Sequence, residues 1–97
     1  MVEFTEYGNN LVCAFSGRID TEYCMKYQDE IFKKTLEASI PVIFDLKKVG
    51  YISSMFLRIC VRIFNERGAG NISIVNAHPD VKKVFKISKL DSLITIQ

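Results

Sequence analysis

The sequence lacks the residue patterns from which most catalytic and metal-binding sites are built. It holds one histidine, His78, next to Pro79 at the start of a short helical segment. A lone histidine there reads as a solvated turn residue, and no serine or cysteine can be grouped with it into a nucleophile–base pair. There are only three cysteines, Cys13, Cys24 and Cys60. Their odd number, wide spacing and lack of a CxxC pair argue against a disulfide framework and a thiolate metal site, and suggest buried free thiols in a reducing compartment. Glycine is too sparse for a phosphate-cradling loop: Gly68-Ala69-Gly70 reads as a helix stop and turn, and neither GxxxxGK nor GxGxxG occurs. HExxH and EF-hand spacings are missing as well. No cofactor, metal or enzymatic activity is therefore expected.

Other absences concern location and partners. No apolar run approaches the roughly 20 residues that span a bilayer. The first ten residues carry two glutamates and no apolar core, unlike a secretory signal. These features lead to the expectation of a cytoplasmic protein without membrane insertion. Charge of one sign is missing too: 13 basic residues face 11 acidic ones, for a net charge of +2. Nucleic-acid binding rests on clustered positive charge and is not expected. The lysines at 82, 83, 86 and 89 interleave with Val81, Val84 and Phe85, as on a solvated helix face over a core stripe.

What remains is ordinary globular composition, with 48% apolar and 25% charged residues over 97 positions, enough for one domain spanning 1–97. Strands and helices alternate. Residues 2–7 and 11–15 read as a hairpin around Gly8-Asn9-Asn10, the second strand ending at Ser16-Gly17-Arg18. Asp20 and Thr21 are both helix-capping residues, and a helix to about Ala38 puts Cys24, Tyr27, Ile31, Phe32 and Leu36 on one side. Residues 42–46 read as a central strand covered on both faces, followed by a polar loop at 47–50. Residues 55–67 have helix length and end at Gly68. Arg58, Arg62, Asn65 and Glu66 form one stripe, with Phe56, Leu57, Cys60, Ile63 and Phe64 opposite. A strand at 71–75, a helix opening on Pro79 and a strand at 93–96 follow. The fold class is α/β, ordered β-β-α-β-α-β-α-β, with a mostly parallel sheet of four or five strands, an antiparallel N-terminal edge and three to four helices.

One position offers chemistry. Ser53 and Ser54 open the second long helix, just beyond a strand end. Either hydroxyl can cap a free backbone N–H, which is sufficient reason for a serine. A phosphate at the same place would face free N–H groups and the positive helix end, so a serine there can take a phosphate without loss of the helix. Asp45, at a strand end ahead of two lysines, is read as structural.

In these segments the chain resembles STAS domains. Phe15–Thr21 (FSGRIDT) is similar to their Leu-x-Gly-x-Leu/Ile-Asp segment. Val42–Arg58 (VIFDLKKVGYISSMFLR) resembles their central stretch, which ends in Ser-Ser/Ala-Gly-Leu-Arg. Asn76–Val84 (NAHPDVKKV) is similar to their Asn-x-x-Pro-x-Val motif, and Leu90–Leu93 (LDSL) to their closing segment. The resemblance implies a STAS-like fold and the role of an anti-sigma factor antagonist. Such a protein binds an anti-sigma factor that is also a GHKL-type serine kinase. It is released by phosphorylation, and a PP2C-type phosphatase restores it. By position Ser54 matches the acceptor serine. Ser53, Met55, Arg58 and Arg62, with Arg18 and Asp20, are the expected partner-binding residues. Met55 stands where serine or alanine is usual and Phe56 where glycine is usual. That pair motivates a second reading: a module never phosphorylated, serving as a subunit of a signalling assembly or a lipid-transport ATPase complex. A nucleotide-binding module is a third. Apolar residues on the second helix would allow a homodimer.

Overall fold

A computed structural model describes residues 1–97. Its first strand, β1 (Val2–Tyr7), turns through Gly8 and Asn9 into β2 (Asn10–Ile19) and pairs with it antiparallel, Val2 opposite Phe15 and Tyr7 opposite Asn10. The chain continues through α1 (Thr21–Glu37), β3 (Val42–Ile52), α2 (Ser54–Arg67), β4 (Ile72–Val75), α3 (Pro79–Ile87), one 3-10 turn (Leu90–Ser92) and β5 (Thr95–Ile96). The five strands lie in chain order, and β2 to β5 are parallel.

That order fixes where the helices go. The three crossovers all step in the same direction across the sheet. Such connections are almost always right-handed, so each helix lands on the same face. Burial follows this rule. Leu11, Cys13 and Phe15 of β2, Val42, Phe44 and Leu46 of β3, and Ile72 and Ile74 of β4 are buried, whereas Val12, Ala14, Ile43, Asp45, Ser73 and Val75 between them are only half-buried. The expectation of a central strand covered on both faces is therefore corrected. Covering both faces needs a reversal of strand order, and this chain has none.

Two polar segments read as chain breaks are strand instead. Ser16-Gly17-Arg18 does not end β2, and Lys47–Gly50 is not a loop. They pair with each other, Ser16 with Lys48 and Arg18 with Tyr51, through irregularities between Ala14 and Ser16 and between Gly17 and Arg18. At each irregularity β3 holds one residue more than β2, which bends the pair, and Gly17 on the β2 side has a φ of 99°. Locally these residues look like a turn, and the pairing that makes them strand comes from 30 or so residues away. Smaller shifts occur at element ends. The first helix stops at Glu37, the fourth strand begins at Ile72, and residues 90–92 take a 3-10 turn where only a strand at 93–96 was read.

Twenty-two buried residues form one apolar core between sheet and helices. At its centre Phe15 meets Phe44 edge-on at 4.9 Å and Phe56 edge-on at 5.3 Å between ring centroids. Such pairs add to their burial about 0.5–1.5 kcal/mol each. The helix read at 55–67 is present, and its buried stripe is Phe56, Ile59, Cys60 and Ile63. Leu57 and Phe64, read as inward, are only half-buried. Thr35 of α1 is fully buried, which the sequence reading missed. Its hydroxyl donates to the Ile31 carbonyl at 2.7 Å, so a polar side chain is satisfied within its own helix.

Candidate functional site

The parallel pair β2–β3 ends in two helix starts side by side. Ser53 N–H donates to the Ile19 carbonyl at 2.9 Å, which ties the end of β3 to the end of β2. Asp20 and Ser53, the next residues out, are the N-caps of α1 and α2. The side chain of Asp20 accepts from Tyr23 N–H at 2.9 Å, and Ser53 Oγ accepts from Phe56 N–H at 3.3 Å.

The structure separates two serines between which the local sequence left the capping role open. Ser53 is 6% exposed, and its Oγ lies 3.8 Å from the Cys24 thiol. Ser54, the first residue of α2, is exposed and makes no side-chain hydrogen bond. Ser53 is thus committed to the cap, and Ser54 Oγ is open to solvent at the positive end of a fourteen-residue helix. The first turn of that helix holds no acidic residue.

The other expected partner-binding residues divide into two groups. Arg18, Asp20, Ser53 and Ser54 gather at the rim where β2 and β3 end. The Arg18 guanidinium lies over the Tyr51 ring, 3.8 Å from its centroid, a contact between register partners on adjacent strands. It borders a surface basin of about 370 Å³, lined by Gly17, Arg18, Lys48, Gly50 and Tyr51 with no acidic side chain. Asp20 is occupied as a cap. Met55 is half-buried at the start of α2. Arg58 and Arg62 lie one and two turns down the helix, away from the rim. Arg62 is held there by Glu66 at 2.8 Å and by the Phe32 ring at 4.2 Å. Phe56 is wholly buried and leaves the outer surface clear.

Asp45 and His78 have structural work. Asp45 lies within β3 and not at a strand end; its Oδ1 accepts from Lys47 N–H and Asn76 Nδ2, both at 3.0 Å, and so ties the middle of β3 to the residue just beyond β4. His78 Nε2 lies 2.6 Å from the Lys47 carbonyl and fixes the approach to α3. The contacts of Asp45 with Asn76 and of His78 with Lys47 were not readable from spacing, because each joins residues 31 apart. No three His, Cys, Asp or Glu side chains come together as a metal group. The cysteines are all free and buried. Burial raises the Cys13 thiol to about 12. It also raises Cys24, where the hydrogen bond to Ser53 opposes it in part, and Cys60. These thiols stay protonated and poorly nucleophilic at neutral pH. No helix is long and apolar enough to cross a membrane.

This arrangement, a mostly parallel sheet with helices on one face and a serine-led helix start at its rim, agrees with the family comparison. The sequence profile of the STAS domain matches residues 1–97, and the chain belongs to the STAS domain family. Among solved structures, the unphosphorylated form of the anti-sigma factor antagonist SpoIIAA superposes with a TM-score of 0.77 at 17% identity, over 100% of this chain and 88% of that one. A putative anti-sigma factor antagonist from Thermotoga maritima gives 0.85 at 17% identity, covering 98% and 84%. An anti-sigma factor antagonist from Mycobacterium paratuberculosis gives 0.83 at 17% identity, covering 99% and 83%. At such identities the likeness establishes the fold. No curated protein sequence matches the chain.

Proposed function

We propose that this protein is a regulatory binding module of the anti-sigma factor antagonist kind, which docks on an anti-sigma factor with serine kinase activity and is released by phosphorylation of Ser54. The observation that carries this reading is the division of labour between the two serines. Ser53 is buried and caps α2, while Ser54 is exposed and uncommitted at a helix end without acidic side chains. A phosphoryl group on Ser54 would meet the positive helix end and leave the cap and core in place. It would set about two negative charges on the docking rim beside Arg18 and Asp20, enough to change which surfaces it accepts. The structural likeness to anti-sigma factor antagonists supports the same class. Phe56 does not oppose it, since the ring turns into the core.

The test is pull-down and calorimetry with the ATPase-fold serine kinase encoded nearest to this protein's reading frame, together with mass spectrometry of the chain after incubation with that kinase and ATP. The expected results are a single phosphate on Ser54 and loss of binding in Ser54→Asp, by about a hundredfold or more for a charge buried against a matched surface. A Ser54→Asp variant that binds as tightly as wild type would refute the switch. Binding without phosphate transfer would support the non-phosphorylated module suggested by Met55 and Phe56.

A further inference from the structure

A second surface lies down the side of α2, away from the serine tip. Leu57 and Val61, both half-buried, face Leu90 of the 3-10 turn across a groove of about 410 Å³. From Leu57 to Glu66 the helix wall runs about 13 Å at the usual rise per residue. Leu57, Val61 and Leu90 make the floor, and Arg58 and Arg62 stand on the α2 wall. Ser88 stands on the other wall between Lys86 and Lys89, with Ile87 exposed at 71% beside it. Glu66 is the one acidic residue lining the groove, and Arg62 already pairs with it at 2.8 Å. Asp91 follows Leu90 in the same segment. The Phe32 ring holds Arg62 in place from behind, so that wall is organised before anything binds. Arg58, Lys86 and Lys89 form no ion pair.

We infer that this groove receives an amphipathic helix whose apolar face is bordered by acidic residues, presented by a partner protein. Three features select that occupant. The groove is lined at positions 57, 61 and 65 along one face of a single helix, the spacing that accepts a partner helix with apolar residues at i, i+4 and i+7. Of its lining cations Arg58 is unpaired, and the exposed Lys86 and Lys89 flank Ser88 along the chain on the other side, so an acidic flank gains and a basic flank is repelled. Its floor is three apolar side chains, far less than the roughly 800 Å² per partner of a stable dimer of globular surfaces, which disfavours a second copy. The inference does not depend on Ser54 phosphorylation, because the groove lies beyond the tip.

The test uses a display library of helical peptides, each about 16 residues long or four to five turns, randomised on one face. It is selected on the immobilised full chain and counter-selected on Val61→Glu. Enriched peptides should carry apolar residues at i, i+4 and i+7 flanked by Asp or Glu. Their affinity should fall about tenfold or more in Val61→Glu and Arg58→Glu, weaken with salt, and stay unchanged in Ser54→Asp. Amide shifts of the wild-type chain should move at 57–66 and 86–91, a readout that needs no variant to fold. Lack of enrichment, enrichment without acidic bias, or shifts confined to the serine tip would overturn the inference. So would a concentration-dependent dimer abolished by Val61→Glu, which would make a second copy the occupant. Loss of peptide binding in Ser54→Asp would overturn it as well, because groove and tip would then be one site. Failure of the kinase test above would leave the groove result standing.

Discussion

The two helix starts at the rim are built to one plan and differ in charge. In α1 the order is cap Asp20, hydroxyl residue Thr21, acid Glu22 and aromatic Tyr23. In α2 it is cap Ser53, hydroxyl residue Ser54, apolar Met55 and aromatic Phe56. Each cap accepts from the backbone N–H of the aromatic three residues on. The first start therefore has two carboxylates against its positive end, and the second has none. An acid near a helix N-terminus stabilises it by about 0.3–1 kcal/mol at an exposed site. α1 has this stabilisation permanently. α2 is left without it, with an exposed hydroxyl at the position where a phosphate would supply it. The difference also shows in anchorage, since Phe56 is wholly buried and Tyr23 is half-buried. The neutral start is the better anchored of the two, so a change of charge there acts on the surface and leaves the frame unchanged.

The comparison can be broken most forcefully at its anchors. Phe56→Ala should destabilise the protein by about 3–5 kcal/mol, since it leaves a cavity against both Phe15 and Phe44. For a chain of this size that is a fall in Tm of roughly 15 °C or more. Tyr23→Ala should cost clearly less, and equal losses in thermal melts would refute the claimed asymmetry.

The caps come next. Asp20→Ala and Ser53→Ala should each cost about 1 kcal/mol in urea unfolding. Added salt should shrink the Asp20 effect, which includes a charge–dipole attraction, and leave the Ser53 effect nearly unchanged. If the two respond alike to salt, charge is not what distinguishes the two starts.

The smallest effect is the most pointed. Ser54→Asp should stabilise the free protein by about 0.3–1 kcal/mol, while Thr21→Asp, at the matching position of α1, adds little because Asp20 and Glu22 are already there. Both are read from chemical denaturation midpoints at low ionic strength. Ser54→Asp is thus expected to stabilise the fold and to weaken docking. A destabilising Ser54→Asp would remove the argument that this helix end can accept a phosphate.

Much of this was legible from residue order alone. The 3.6-residue rhythm of α1 and α2, the capping residues Asp20 and Ser53, and Gly68 at a φ of 88° behind α2 are local features, and local rules read them. The serine pair stands out in the sequence, and the fold places Arg18 and Asp20 at the same rim. Local rules failed where the deciding partner was distant in sequence. Residues 16–18 and 47–50 look like loop and become strand only because they pair with each other. The groove beside α2 escaped notice for the same reason, since one wall comes from Leu57 and Val61 and the other from Ser88 and Leu90.

By itself, then, the sequence determined the elements, their order and the family, because periodicity, capping and turn chemistry act over a few residues. Only the tertiary structure decided which of two adjacent serines is buried as a cap and which is free. It also decided that one face of the sheet stays open and that a groove with Arg58 and Arg62 on its wall flanks the second helix. Those outcomes depend on side chains and backbone brought together from distant parts of the chain, and burial is a property of that assembly.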